Sequence, residues 1–139
     1  MRRHVFGAAL ILAACAGRAS ADVVAQIHIP TQSMTVTIDG KVRYVWPIST
    51  ARRGYATPIG HFRPIRMERV WYSRVYNNAP MPYAIFFHYG FAVHGTNETA
   101  ALGRPASHGC VRLPTSAARE LFELIRQYGP VNSRIVVTG

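Results

Sequence analysis

The sequence predicts one mostly-β domain of the α+β class, a β-sandwich or barrel-like fold with a single helix from the C-terminal half packed on it. Its 139 residues suit one domain, and 49% of them are hydrophobic, which is enough to fill a core. Two runs of alternating hydrophobic and polar residues flank an Asp-Gly pair, a pattern typical of a β-hairpin. One segment, residues 115–128, carries hydrophobic side chains at helical spacing.

The N-terminal part of this domain is predicted to begin with three strands. Residues 23–29 are rich in β-prone hydrophobic side chains and form the first. Residues 34–38 and 42–46 alternate hydrophobic and polar side chains, and Asp39-Gly40 between them supplies the two-residue turn.

Further strands are expected along the rest of the chain. Residues 47–80 contain Pro and Gly at short intervals, which predicts turns and short strands. Residues 84–88 and 91–93 are hydrophobic runs broken at Gly90, and residues 135–137 close the chain as a last strand.

The helix is predicted from both its pattern and its ends. The hydrophobic residues of 115–128 fall on one face, Thr115 or Ser116 is available as a cap, and Gly129-Pro130 ends the segment. We therefore expect this helix to lie on the sheet with its hydrophobic face inward.

Residues 1–21 have the composition of a secretory signal peptide. A basic start at residues 1–4 is followed by hydrophobic and small residues at 5–14 and by the small-x-small pattern of residues 19–21. The hydrophobic run is shorter than the roughly 20 residues that span a membrane. We expect export to the periplasm or cell envelope, with residues 22–139 as the mature domain.

The two cysteines of the chain raise two further points. Leu12-Ala13-Ala14-Cys15 resembles the lipobox of bacterial lipoproteins, so lipidation at Cys15 is an alternative to cleavage after Ala21, which the sequence favours. In either case Cys110 remains as a single thiol in an oxidising compartment, and it is either reactive or buried and inert.

The mature domain is basic. Residues 22–139 keep 13 of the 16 Lys and Arg residues and all six Asp and Glu residues, a net charge of +7. Such a surface suits an anionic partner. Export argues against nucleic acid, whereas cell-wall polymers rich in carboxylates fit both the charge and the location.

His94 and Cys110 are the candidate catalytic pair. A thiol acts as a nucleophile in its thiolate form, so it needs a base or a positive charge nearby. His94 ends a hydrophobic strand, and the loop from there to Cys110 contains Gly and Pro and can fold back on that strand. Gly109 lets the backbone approach a substrate closely and can direct N–H groups at an oxyanion.

Four segments together resemble the L,D-transpeptidase catalytic domain, the YkuD-like family. Ser107-His108-Gly109-Cys110-Val111-Arg112-Leu113, with His94-Gly95-Thr96 upstream, is similar to the signature of that family. Residues 57–62 resemble its T-P-x-G-x-F turn, and residues 80–83 resemble the segment that precedes its site. The resemblance extends from about Val23 to Thr138, so residues 22–139 are expected to be the catalytic domain, with the fold of that family.

The resemblance implies a role for each residue of the site. Cys110 matches the nucleophile, and His94 matches the general base and later acid. The carbonyl of Gly95 would orient the imidazole, and backbone N–H groups around His108, Gly109 and Cys110 would form the oxyanion hole.

The resemblance also implies the substrates. Donor and acceptor would be peptidoglycan stem peptides, the donor a tetrapeptide that is cleaved between its third residue and terminal D-alanine to form a 3→3 cross-link. Water, or the amine of an outer-membrane protein, is an alternative acceptor for the same acyl-enzyme. Inhibition by carbapenems is expected. No cofactor, bound metal or nucleic-acid partner is expected.

Several neighbouring side chains are expected to bind substrate. Arg112 would bind a substrate carboxylate or brace the site loop. Tyr83, Trp71 and Tyr76 would line the donor groove, with core packing as the alternative for at least one of them. His108 is the alternative base. Ser107 is interpreted as a loop hydrogen-bonder, with catalysis as the alternative. Side chains interpreted as structural are His28, His61 and His88.

Two alternatives lie outside this chemistry. The first alternative is a metal site with His94, His108 and Cys110 as three zinc ligands, since imidazole and thiolate both suit zinc. The second is a non-enzymatic, basic wall-binding domain whose site has decayed, although both expected catalytic residues are present.

Overall fold

The structure, a computed structural model, describes residues 22–139. The predicted signal peptide, the cleavage site after Ala21 and the alternative lipidation site at Cys15 lie outside the described residues. In the described part, no helix is long and hydrophobic enough to cross a membrane.

Residues 22–139 form nine strands in two sheets and one α-helix, as the predicted mostly-β class requires. The first sheet has the order β3-β2-β1-β9-β4, and the second has the order β5-β6-β7-β8. The elements are β1 (Val23–His28), β2 (Ser33–Ile38), β3 (Lys41–Pro47), β4 (Gly60–Phe62), β5 (Arg66–Glu68), β6 (Ala84–His88), β7 (Phe91–Thr96), β8 (Val111–Pro114), α1 (Thr115–Tyr128) and β9 (Ser133–Thr138).

The predicted hairpin is β2 and β3, which pair antiparallel. Asp39 and Gly40 form its turn with φ values of 49° and 79°, the left-handed backbone that a two-residue turn of this kind needs at both positions. Met34 and Val36 alternate into the core from β2 and are fully buried. The hydrophobic and polar alternation of the sequence therefore sets the register of this sheet.

The second sheet determines where the candidate site lies. β7 continues three residues beyond the predicted end at Val93, to Thr96, and pairs in parallel with β8. β8 was not predicted, and it brings the segment after Cys110 beside the strand that carries His94. Ser49, just after β3, exchanges two backbone hydrogen bonds with Arg112 and so ties the chain leaving the first sheet to β8.

The helix α1 spans the predicted residues 115–128 and covers the core. Leu121 and Ile125 are fully buried, and burying a Leu or Ile side chain contributes roughly 1.5–3 kcal/mol. The predicted side-chain cap is wrong. Pro114 is the N-cap residue and makes no side-chain capping bond, and Thr115 instead donates its hydroxyl to the Thr96 carbonyl at the end of β7.

Candidate active site

A cavity of about 480 Å³ opens beside the ends of β7 and β8. The predicted pair, His94 and Cys110, lines this cavity. Four other residues discussed in the sequence analysis also line it: Tyr76, Ser107, His108 and Arg112. The structure thus brings His94 and Cys110 to one cavity across a separation of sixteen residues.

The strand register explains why these two residues meet. His94 lies opposite Arg112 in the parallel β7–β8 pair, and Cys110 directly precedes β8. Alternate residues of a strand point to the same face of the sheet. Cys110 and Arg112 therefore project on the face that carries His94, and all three side chains border the cavity.

His94 is held in one orientation and one tautomer. Its side chain is buried, and Nδ1 lies 2.7 Å from the Gly95 carbonyl oxygen. Because a carbonyl oxygen only accepts, Nδ1 carries the proton and donates it, which leaves Nε2 as an acceptor. Nε2 has no hydrogen-bond partner within residues 22–139. Every fully buried side-chain N or O atom of these residues has such a partner, so Nε2 is not fully buried and reaches the cavity that His94 lines.

Burial also keeps this imidazole neutral. It lowers the pKa of His94 from 6.5 to about 4, with the Gly95 hydrogen bond opposing the shift and the positive charge of Arg112 adding to it. At neutral pH the ring is therefore neutral, with the unprotonated Nε2 facing the cavity.

Cys110 is a free, partly buried thiol. Cys110 packs against a small hydrophobic cluster that contains Met81, Phe86 and Ala92. Burial raises the pKa of the Cys110 thiol, whereas a backbone hydrogen bond from Ala92 and the charge of Arg112 lower it. Both directions of shift favour a neutral thiol beside a neutral imidazole at neutral pH.

The loop that carries Cys110 is fixed by its own hydrogen bonds. Ser107 donates its hydroxyl to the Cys110 carbonyl at 2.6 Å and accepts the Gly109 N–H at 3.0 Å. Thr57 donates to the Gly109 carbonyl at 2.9 Å. Gly109 has a φ of 138°, and a Cβ there would collide with the Phe91 ring, so the position requires glycine.

These bonds bear on the predicted oxyanion hole. The N–H of Gly109 is already donated to Ser107 within the loop. The N–H groups of His108 and Cys110, by contrast, make no hydrogen bond to an acceptor within residues 22–139. Two backbone donors next to the thiol are therefore free to meet a ligand oxygen.

His108 lies at the rim of the cavity between two tyrosine rings. Tyr76 stacks on it at 4.0 Å, and Tyr55 meets it edge-on at 4.7 Å. Partial burial, then the charges of Arg52 and Arg112, lower the pKa of His108. This packing suits a structural and rim-lining role more than that of the alternative base.

Arg112 is paired with an acid that the sequence analysis had not identified. Its Nη1 lies 3.5 Å from Oε2 of Glu98, whose side chain is 77% exposed whereas that of Arg112 is 21% exposed. Glu98 itself borders the cavity. An exposed carboxylate at this distance holds Arg112 only weakly.

Two of the predicted substrate-binding aromatics lie elsewhere. Tyr83 does not line the cavity, and its ring packs edge-on against Phe122 of α1. Trp71 borders a second, smaller cavity instead of the main one. Tyr76 does line the main cavity.

Within residues 22–139, no group of three or more His, Cys, Asp or Glu side chains is arranged to hold a metal ion. Two residues of the zinc alternative have other contacts. Nδ1 of His94 bonds the Gly95 carbonyl, and His108 is stacked between tyrosines.

The structural role of the Thr57 hydroxyl was not predicted from the sequence. Thr57 lies in the segment that resembles the T-P-x-G-x-F turn, which was the available signal. Ser107 was interpreted as a loop hydrogen-bonder, and the two bonds it makes within the loop agree with that interpretation.

Comparisons with known proteins give one consistent result. The family model for the L,D-transpeptidase catalytic domain matches residues 22–137. The chain is 26% identical over 117 residues to the putative L,D-transpeptidase YkuD of Bacillus subtilis, covering 80% of this chain and 63% of that relative.

Solved structures agree with this match. An L,D-transpeptidase of Mycobacterium tuberculosis superposes with a TM-score of 0.76 at 25% identity, covering 86% of this chain and 58% of that one. LD transpeptidase LdtMt1 in complex with imipenem superposes with a TM-score of 0.74 at 25% identity, covering 85% and 59%. The chain thus spans about three fifths of the length of each of these proteins.

Proposed function

The chain belongs to the L,D-transpeptidase catalytic domain family, and on that premise we propose that it is a peptidoglycan cysteine acyl transferase with Cys110 as nucleophile and His94 as base. One observation carries this proposal. Cys110 borders the same cavity as His94, whose Nδ1 is tied to Gly95 so that its free Nε2 faces that cavity.

The first half-reaction is acylation of the thiol. Cys110 attacks the carbonyl of the third residue of a tetrapeptide stem while its proton passes to Nε2 of His94. The N–H groups of Cys110 and His108 donate to the oxyanion that forms. The bond to the terminal D-alanine then breaks, the imidazolium returns the proton to the leaving amine, and a thioester remains on Cys110.

The second half-reaction transfers the acyl group. An acceptor amine attacks the thioester, loses a proton to His94, and the thiol of Cys110 is restored. With the side-chain amine of a diamino acid on a neighbouring stem as acceptor, the product is a 3→3 cross-link. Water or the amine of an outer-membrane protein are the alternatives, and the same acyl-enzyme serves all three.

The resting protonation states fit a mechanism in which the proton moves as the thiol attacks. Burial lowers the pKa of His94 to about 4 and raises that of the Cys110 thiol, so a preformed ion pair is disfavoured. Arg112 lies on the same face as Cys110 and favours the thiolate as it forms. Once Glu98 is displaced, Arg112 binds a carboxylate of the donor peptide.

The cell envelope is the proposed place of action. The composition of residues 1–21 supports it, since these residues have the features of a secretory signal. Carbapenem sensitivity belongs to the same proposal, and the imipenem complex of the similar LdtMt1 supports it.

The test is product analysis with a disaccharide-tetrapeptide, using wild type and the Cys110→Ala variant. Loss of D-alanine together with a dimer lacking one D-alanine, both absent with the variant, supports transpeptidation. D-alanine release with addition of water to the donor indicates hydrolysis instead. Turnover that persists in Cys110→Ala would overturn the assignment of the nucleophile.

A further inference from the structure

A second cavity, of about 160 Å³, adjoins the catalytic cavity. The two share four lining residues, Ser73, Val75, Met81 and Gly90. The second cavity is bordered by neither Cys110 nor His94. A group bound there would lie beside the catalytic cavity without occupying the place of the reacting atoms.

Two arginines and a tryptophan form the charged side of this second cavity. The guanidinium carbon of Arg66 lies 4.4 Å from the Trp71 ring centroid and 4.1 Å from that of Phe86. That of Arg74 lies 5.1 Å from the same Trp71 ring. Trp71 meets the buried Phe86 edge-on at 5.7 Å, so both cations rest on an aromatic platform anchored in the core.

Neither arginine has a carboxylate partner among residues 22–139. Arg69, Arg112 and Arg126 are paired with glutamates, whereas no ion pair is recorded for Arg66 or Arg74. Two cations near one ring repel each other, and an anion bound beside them lowers that cost. A guanidinium stacked on a ring still has its in-plane N–H groups free to bind a carboxylate.

We propose that Arg66, Trp71 and Arg74 form a subsite for the carboxylates of the second substrate, the acceptor stem peptide. The inference rests on the proposed transpeptidase function. Arg112 is the cation next to Cys110 and serves the donor. The arginine pair is a separate cationic site in a connected cavity, so one groove can bind two carboxylate-bearing peptides beside one thiol.

The test is direct binding to the Cys110→Ala protein, which cannot turn over substrate. The probes are a synthetic stem tripeptide ending in a diamino acid with all carboxylates free, and the same tripeptide with its carboxylates amidated. Titration calorimetry at fixed, low salt gives both dissociation constants. We expect the added substitutions R66Q and R74Q to weaken binding of the free acid at least about tenfold, because two charge-assisted bonds are lost.

The matched control is R63Q with R119Q, which removes the same charge at two exposed positions outside both cavities. Equal weakening by this control would show a general charge effect and overturn the subsite, as would a free acid that binds no tighter than its amide. The free-acid and amidated tripeptides are compared on Cys110→Ala protein that keeps both arginines. This comparison therefore still tests the proposal if R66Q/R74Q fails to fold.

The outcome is separable from that of the proposed function. Release of D-alanine from a tetrapeptide by wild type tests the enzyme, and its absence would reject the transpeptidase while leaving the binding measurement intact. Normal release with no discrimination between acid and amide would reject the arginine subsite alone.

Discussion

Replacing His94 by glutamine should make the stability of the domain less sensitive to acid. In the folded protein, burial lowers the pKa of His94 from 6.5 to about 4. The unfolded chain therefore binds a proton at His94 between these two values and the folded chain does not. The stability linked to this group is fully present above pH 6.5 and is lost as the pH falls toward 4.

The size of the effect follows from the shift. At 1.36 kcal/mol for each pKa unit, wild type should lose about 3 kcal/mol through this one histidine between pH 7.5 and pH 4. The His94→Gln variant has no such group. It is expected to be less stable than wild type at pH 7.5, because the imidazole packing and the hydrogen bond to Gly95 are altered, and this deficit should shrink in acid.

Urea unfolding of both proteins at several pH values between 7.5 and 4 measures the difference. His61→Gln, at an exposed side chain of β4, is the control for loss of a histidine in general. A constant difference between the free energies of unfolding of wild type and His94→Gln across this range would refute this expectation. His94 would then titrate alike in the folded and unfolded states.

Three further predictions follow from the loop that carries the thiol. Gly109→Ala should lower the free energy of unfolding by at least about 2 kcal/mol and abolish acylation, because the new Cβ meets Phe91 at a φ of 138°. Gly103→Ala has open space around the new Cβ and should lower the free energy of unfolding by less, as thermal unfolding would show. Ser107→Ala removes the bonds to the Cys110 carbonyl and from Gly109 and should slow acylation about tenfold without moving its pH profile, as stopped-flow measurements would show. Imipenem should add one adduct mass at Cys110, and active protein that stays unmodified would contradict the proposed thiol chemistry.

The sequence predicted the elements whose signals are local. The alternation around Asp39-Gly40 and the hydrophobic face of residues 115–128 each lie within one segment, and both elements formed where expected. β8 was missed because Val111–Pro114 is too short to show a period, and it is a strand only through its pairing with β7 and Ser49.

The site was predictable in its residues and less so in its arrangement. The motif around Cys110 identified the candidate thiol and histidine, but their approach depends on the parallel register of β7 with β8, which is a long-range feature. Glu98 beside Arg112, and the position of Tyr83 against the helix, follow from loop conformations that no short pattern encodes. Each of these contacts is set by tertiary packing.

The most direct test of the account is the whole-protein mass after rapid quenching with a tetrapeptide donor. We expect a covalent tripeptide-acyl adduct that peptide mapping places on Cys110. The adduct should build up far more slowly in His94→Ala and be absent from Cys110→Ala. D-alanine release with no adduct at Cys110, or an adduct on another residue, would contradict it.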